Sequence, residues 1–237
     1  MSVERKTIYL CLAHMSEEGW EQKYVKEAFD TNWVVPMGPN VNAFEKDLRK
    51  FVASNAKSAV YRDSEANLAS WHFNPALNDT TVVCLSSGTG AIHLALIAVG
   101  VQAGDEVCVQ SFTFCASSHP ITYLGAKPVF IGSEKDTWNM DPELLEKAII
   151  DRKEKTGRYP KAIVPVALYG MPYQIDKILA IADRYGIPVI EDAAEGMGSR
   201  FNGQVLGTFG KFGVLSFNGN KMITTSGGGA LICRNAK

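Results

Sequence analysis

Residues 81–110 read TVVCLSSGTGAIHLALIAVGVQAGDEVCVQ. An apolar run, Val82–Leu85, passes through small polar residues into a helical stretch, Gly90–Val99, and a second run follows at Glu106–Gln110. Short apolar runs alternating with helical stretches are the pattern of an α/β fold. Outward from there, further runs fall at Pro128–Ile131, Ala162–Val166, Ile187–Ile190, Gly213–Phe217 and Ala230–Cys233. Between them, Pro142–Lys155 and Ile175–Tyr185 carry apolar stripes at helical spacing. Each run is almost continuously apolar, as in a strand buried on both faces. The expected fold is therefore α/β, a mostly parallel seven-stranded sheet covered by helices on both faces. Only Asn218–Gly229 separates the last two runs, and it is rich in Gly, Ser, Thr and Asn without a helical stripe. A parallel crossover usually needs a helix, so the last strand is expected to be antiparallel. Asn202-Gly203 predicts a tight hairpin between Arg200-Phe201 and Gln204-Val205.

Upstream, residues 1–54 read as a helical segment packing on this unit. Ser16 can cap a helix with Trp20, Tyr24, Ala28 and Phe29 on one face, and a second helix follows Asn42 with Phe44, Leu48, Phe51 and Val52. Residues 55–80 read as an insertion with a helical middle, and 81–237 as the main ligand-binding domain. A length of 237 residues suffices for a substantial core. Lys and Arg total 24 against 25 Asp and Glu, so the net charge is −1. That balance argues against a nucleic-acid binder or a polybasic membrane-surface protein. No apolar run approaches the length of a membrane span, and the opening residues do not read as a secretory signal. Cys11, Cys84, Cys108, Cys115 and Cys233 lack metal-type spacing, so no metal site is expected and the default compartment is the reducing cytoplasm.

In an open α/β sheet, ligands gather at the carboxyl ends of the parallel strands. After the first run comes Ser86-Ser87-Gly88-Thr89-Gly90, entering a helix whose free N–H groups suit a phosphate. After the second comes Ser111-Phe112-Thr113-Phe114, with aromatic rings. After the fifth comes Glu191-Asp192-Ala193-Ala194-Glu195, and in the sixth Ser216 precedes Lys221 by five residues. Phosphate cradle, flat ring, carboxylate and amine at one edge describe a site for pyridoxal 5′-phosphate. Taken singly, each has an ordinary reading: a turn, a core phenylalanine, a capping aspartate, a solvated lysine. Only their co-occurrence at successive strand ends favours the cofactor. A P-loop is excluded because Gly-Lys-Ser/Thr is missing. A dinucleotide fingerprint fails at His93, where its third glycine belongs, and Gln110 and Ser111 stand where a ribose-binding acid is needed.

The ordered segments SSGTGAIHLAL (Ser86–Leu96), GDEVCVQSFTF (Gly104–Phe114), VPVALYG (Val164–Gly170), EDAAEGMGS (Glu191–Ser199) and SFNGNKMITTSGGG (Ser216–Gly229) closely resemble the nucleotide-sugar aminotransferases of the DegT type, within the aspartate-aminotransferase-like fold. The likeness also covers Asn32–Glu45. It implies Lys221 as the lysine that binds the cofactor's aldehyde as a Schiff base, and Asp192 as the partner of the pyridine nitrogen. By the same likeness Phe114 stacks on the ring, while Gly88, Thr89 and Ser216 meet the phosphate. Glu195 falls near the cofactor's phenolic oxygen, where many members carry Gln. Ala167 stands where His is frequent, and Gly227-Gly228-Gly229-Ala230 where Gly-Glu-Gly-Gly is frequent. The second departure resembles a branch that aminates UDP-4-keto-6-deoxy-N-acetylglucosamine. The resemblance further implies an amino donor, glutamate by expectation, a nucleotide-linked keto-deoxysugar acceptor, a role in polysaccharide or glycan sugar synthesis, and a homodimer. Members continue into a small C-terminal domain, whereas this sequence stops at Lys237, so that domain is expected to be absent. Two rival functions are a non-catalytic binding module and a sugar dehydratase, which carries His at the position of Lys221.

Overall fold

The structure, a computed structural model, describes residues 15–55, 72–73, 77 and 79–234. The helical middle expected within 55–80, and the readings made of the opening residues and Cys11, lie outside the described residues.

Two helices come first, α1 (Trp20–Asp30) and α2 (Pro39–Val52). Ser16 Oγ accepts from Trp20 N at 2.9 Å and donates to Glu21 at 2.6 Å, which ties down the start of α1. α1 buries none of its residues and leaves Trp20, Tyr24 and Phe29 exposed. α2 starts at Pro39, ahead of the expected Asn42. A proline in the first helical turn gives up no hydrogen bond and already holds a helical φ. Leu48 and Val52 of α2 enter the core.

The chain then runs through β1 (Ser54–Asn55), β2 (His72–Phe73), β3 (Thr81–Leu85), α3 (Gly88–Ala98), β4 (Glu106–Gln110), α4 (His119–Tyr123), β5 (Lys127–Ile131), α5 (Pro142–Thr156) and β6 (Ala162–Val164). α6 (Ile175–Tyr185), β7 (Ile190–Asp192), β8 (Arg200–Phe201), β9 (Gln204–Val205), β10 (Phe212–Ser216) and β11 (Gly229–Cys233) complete it. Asn202 and Gly203, both at positive φ, turn β8 into β9 as their sequence predicts.

All seven expected strands form, but in two sheets. β3-β11-β10-β7 is a mixed four-stranded sheet, and β5-β4-β6 is a parallel three-stranded one. β11 is antiparallel to both its neighbours, as the short final connection requires. Between β6 and β7 only isolated bridges remain, Ile163–Val189 and Val166–Asp192. The single seven-stranded ladder is thus corrected, and prolines are the reason. Pro165 and Pro188 accept from Asp192 N and Ile163 N, each at 3.0 Å, but have no N–H to return. The same residues cut β6 short at Val164 and shift β7 to Ile190–Asp192 from the expected Ile187–Ile190.

Both sheet faces are buried. Val107 and Val109 of β4 pack with Ala91, Ile92, Ala95 and Leu96 of α3, while Cys108 between them faces Leu145, Ile149 and Ile178 of α5 and α6. Successive side chains leave a strand on opposite faces, so this alternation within an apolar run marks a layered core. Burial pushes the Cys108 thiol up to about 12, which makes it inert packing. α3, apolar enough to suggest burial on two sides, leaves Leu94 and Ile97 exposed.

β11 passes directly beneath the first turn of α3. A Cβ on Gly229 would overlap Gly88 N and the Ser87 carbonyl carbon, so glycine permits the approach. Gly229→Ala is expected to cost about 1–3 kcal/mol in urea unfolding. Gly227→Ala, whose Cβ would meet nothing within 4 Å, should change stability by less than about 0.5 kcal/mol. Equal losses in the two variants would contradict this packing.

Candidate active site

Every main-sheet strand except β11 runs in one direction, so the segments that follow β3, β4, β6, β7 and β10 share an edge. Lys221, in the turn after β10, has a side chain only 15% exposed and places Nζ 3.1 Å from Glu195 Oε1. The other carboxylate oxygen of Glu195 accepts from Tyr169 N at 2.7 Å. Glu195 thus joins the segments after β6, β7 and β10.

Asp192, at the tip of β7, is 5% exposed. Its Oδ2 accepts from Ser117 Oγ at 2.6 Å and its Oδ1 from Ala194 N at 3.1 Å. Burial pushes its pKa up. The Ser117 hydroxyl, the Ala194 N–H and the positive charge of Lys221 pull it down, and the charge of Glu195 adds to the rise. Asp192, Glu195 and Lys221 therefore form one electrostatic group, in which the amine touches Glu195 and acts on Asp192 through space.

The start of α3 closes the edge. Ser87 Oγ caps Gly90 N at 3.0 Å, and Ala91 N bonds Ser87 O. The N–H groups of Gly88 and Thr89 belong to the same unclosed first turn, where an anion is favoured. A Cβ on Gly88 would stand 3.1 Å from Ser216 Cβ, so this turn and the end of β10 are in contact. Phe114 is 73% exposed and so is not the core residue that its composition alone would suggest. Among the described residues, Phe114 and Thr89 make no hydrogen bond or ring contact to Asp192, Glu195 or Lys221.

Three features have no signature in the sequence reading. Ser117 reaches Asp192 from the 3₁₀ turn Cys115–Ser117. Tyr169, at φ 51, acts through its backbone N–H. Gln110 and Asn139, both fully buried, pin the same segment: Asn139 Oδ1 accepts from Leu168 N at 3.1 Å, its Nδ2 donates to Met171 O at 3.0 Å, and Gln110 Oε1 accepts from Val166 N at 3.4 Å as well as from Met140 N at 2.8 Å. An isolated amide closing an apolar strand, as Gln110 does, is the one signal that could have revealed this pair. Beside it, Phe112, Thr137, Trp138, Leu168 and Tyr169 line a cleft of about 290 Å³. Among the described residues no group of three or more His, Cys, Asp or Glu could hold a metal ion, and no helix is long and apolar enough to cross a membrane.

The sequence profile of the DegT/DnrJ/EryC1/StrS aminotransferase family matches residues 71–237. EpsN of Bacillus subtilis, whose assignment as a pyridoxal phosphate-dependent aminotransferase is itself inferred, is 48% identical over 227 residues, covering 96% of this chain and 51% of that protein. The GDP-perosamine synthase of Escherichia coli O157:H7 is 37% identical over 224 residues, covering 94% and 53%. The X-ray structure of the aminotransferase from Psychrobacter cryohalolentis superposes with a TM-score of 0.74 at 29% identity, covering 95% of this chain and 49% of that one. The chain spans about half the length of the curated relatives it matches.

Because burial raises the Asp192 pKa above its unfolded value near 3.9, its contribution to stability is present below that pH and lost as pH rises through the folded pKa. Asp192→Asn should therefore raise the melting temperature at pH 8 by about 2–4 °C, with the gain vanishing near pH 4. A lower melting temperature at pH 8 would show that burial is not the dominant influence on this acid.

Proposed function

The chain belongs to the DegT/DnrJ/EryC1/StrS aminotransferase family, and from that premise we propose that it is a pyridoxal-phosphate-dependent aminotransferase acting on a nucleotide-linked keto-deoxysugar. One observation carries the reading: a largely buried lysine, Lys221, is held by Glu195 on the strand edge that also presents the buried Asp192.

The residues fit the cofactor. Lys221 is an amine able to capture an aldehyde, and Asp192 is an acid able to hold a proton on a pyridine nitrogen. Gly88 and Thr89 N–H, with Ser216 packed against the same turn, would meet the phosphate, and a side chain at Gly88 would crowd Ser216. Phe114 is an exposed flat ring on the turn that carries Ser117. When bound, pyridoxal phosphate supplies an electron-withdrawing ring that takes up the charge left when a proton leaves the amine-bearing carbon.

The chain's own residues do the rest. Lys221 Nζ takes and returns that proton as general base and acid. Glu195 orients Nζ, and Tyr169 N–H keeps the carboxylate from swinging away. Asp192 would favour a proton on the ring nitrogen, and its seclusion from water would strengthen that attraction. The first turn of α3 would hold the phosphate at the strand edge that carries Lys221.

A nucleotide-sugar acceptor is supported by the names of relatives, a GDP-perosamine synthase and a UDP-2-acetamido-2-deoxy-3-oxo-D-glucuronate aminotransferase of Pseudomonas aeruginosa. Within that class, the run Gly227–Ala230 favours a UDP-linked 4-keto-6-deoxy-N-acetyl sugar. Glutamate as donor and a role in polysaccharide sugar synthesis belong to the same proposal. So does a homodimer, which the exposed Trp20, Tyr24 and Phe29 of α1 support.

Borohydride reduction of the protein with pyridoxal phosphate should fix the cofactor's mass on the peptide that contains Lys221, and Lys221→Ala should lower transamination by at least about 10²–10⁴-fold. Labelling of another lysine would overturn the assignment. Labelling of Lys221 without turnover of any amino donor and ketosugar would favour a binding module instead.

A further inference from the structure

The bond between Ser117 and Asp192 has a direction that its neighbours decide. A hydroxyl owns one proton. Ser117, 1% exposed, gives it to Asp192 Oδ2 across 2.6 Å, a length typical of hydrogen bonds to a charged oxygen. Its other contact, 2.8 Å to Thr113 Oγ1, must then have Thr113 as the donor. The result is a one-way chain from Thr113 to Ser117 to Asp192, joining segments 75 residues apart. Ser117 N also bonds Phe114 O at 3.1 Å. The turn that presents the Phe114 ring is therefore the turn that supplies the donor to Asp192.

We infer that Ser117 is a positioning residue: it favours the charged form of the Asp192 carboxylate and holds it in one orientation, with Thr113 aiming its proton, and it locks that acid to the turn that carries Phe114. What Asp192 faces rests on the function proposed above; the hold on Asp192 itself does not. The charged groups acting on Asp192 are Lys221, from the turn after β10, and Glu195, further along its own segment. Glu191, the adjacent acid, is occupied elsewhere by the N–H groups of Gly207, Phe209 and Gly210. Among the influences that favour the charged form of Asp192, the Ser117 hydroxyl is the largest. A serine that merely filled space could be exchanged for alanine without moving the acid's titration.

The test is a carbon-13 carboxyl titration of Asp192 in the cofactor-free chain. Ser117→Ala should shift its apparent pKa upward by about one pH unit or more, because a hydrogen bond to the charged form is lost. Ser117→Thr, which keeps the hydroxyl, should return it towards wild type. Thr113→Val should move it in the same direction as Ser117→Ala by a smaller amount. An Asp192 that titrates as in wild type when residue 117 is alanine overturns the inference. If Ser117→Ala does not fold, the volume-conserving Thr113→Val decides: an upward shift supports the chain of donors and an unchanged titration overturns it. A parallel titration with pyridoxal phosphate, read by visible absorbance, separates the two proposals. A wild type that binds no cofactor removes the function proposed above and leaves the Asp192 result standing. Binding that is several-fold weaker in Ser117→Ala joins the two, and equal affinity overturns the role of Ser117 towards the cofactor.

Discussion

Burying the Asp192 carboxylate at the end of β7 costs free energy that its surroundings have to offset. Donors reach it from Ser117 and from Ala194 N, and the ammonium of Lys221 lies near enough to act on its charge. On the opposite face of the same strand, Glu191 is also buried and accepts from Gly207 N at 3.2 Å, Phe209 N at 2.5 Å and Gly210 N at 2.6 Å. Consecutive residues of a strand point to opposite faces, so the two acids clamp β7 to the layers above and below it. Loosening either clamp frees the strand end around which the edge is assembled.

That strand lies at the seam between the two sheets, where prolines replace the regular ladder by single bridges. A seam that lacks some backbone bonds depends more on side chains to stay closed. Gln110 and Asn139 fix the backbone of residues 166–171 on the three-stranded side of that seam. Tyr169 N–H in turn holds Glu195, and Glu195 holds Lys221. The position of the amine thus depends on the neutral amides that fix residues 166–171 and on the Tyr169–Glu195 bond that crosses the seam.

The strands were legible because burial on both faces writes them as continuous apolar runs, with Cys108 between Val107 and Val109 as the example. The antiparallel return of β11 was legible from the short, helix-free connection before it. The division into two sheets was not, because it depends on two prolines meeting across strands whose pairing the linear order does not state. The three charged groups of the edge could be listed from their places after strands, whereas Ser117 could not. Its partner lies on a distant strand, and no local pattern distinguishes it from Ser118. Tyr169 escaped for a different reason: its contribution is a backbone N–H at positive φ, which carries no side-chain signature.

Whether these strand ends form one cofactor site is most directly tested by a crystal structure of the chain grown with pyridoxal phosphate. The account predicts continuous density from Lys221 Nζ to the cofactor's aldehyde carbon, with the ring nitrogen within about 2.7–3.2 Å of Asp192. Cofactor density on another lysine, or a ring nitrogen remote from Asp192, would contradict it.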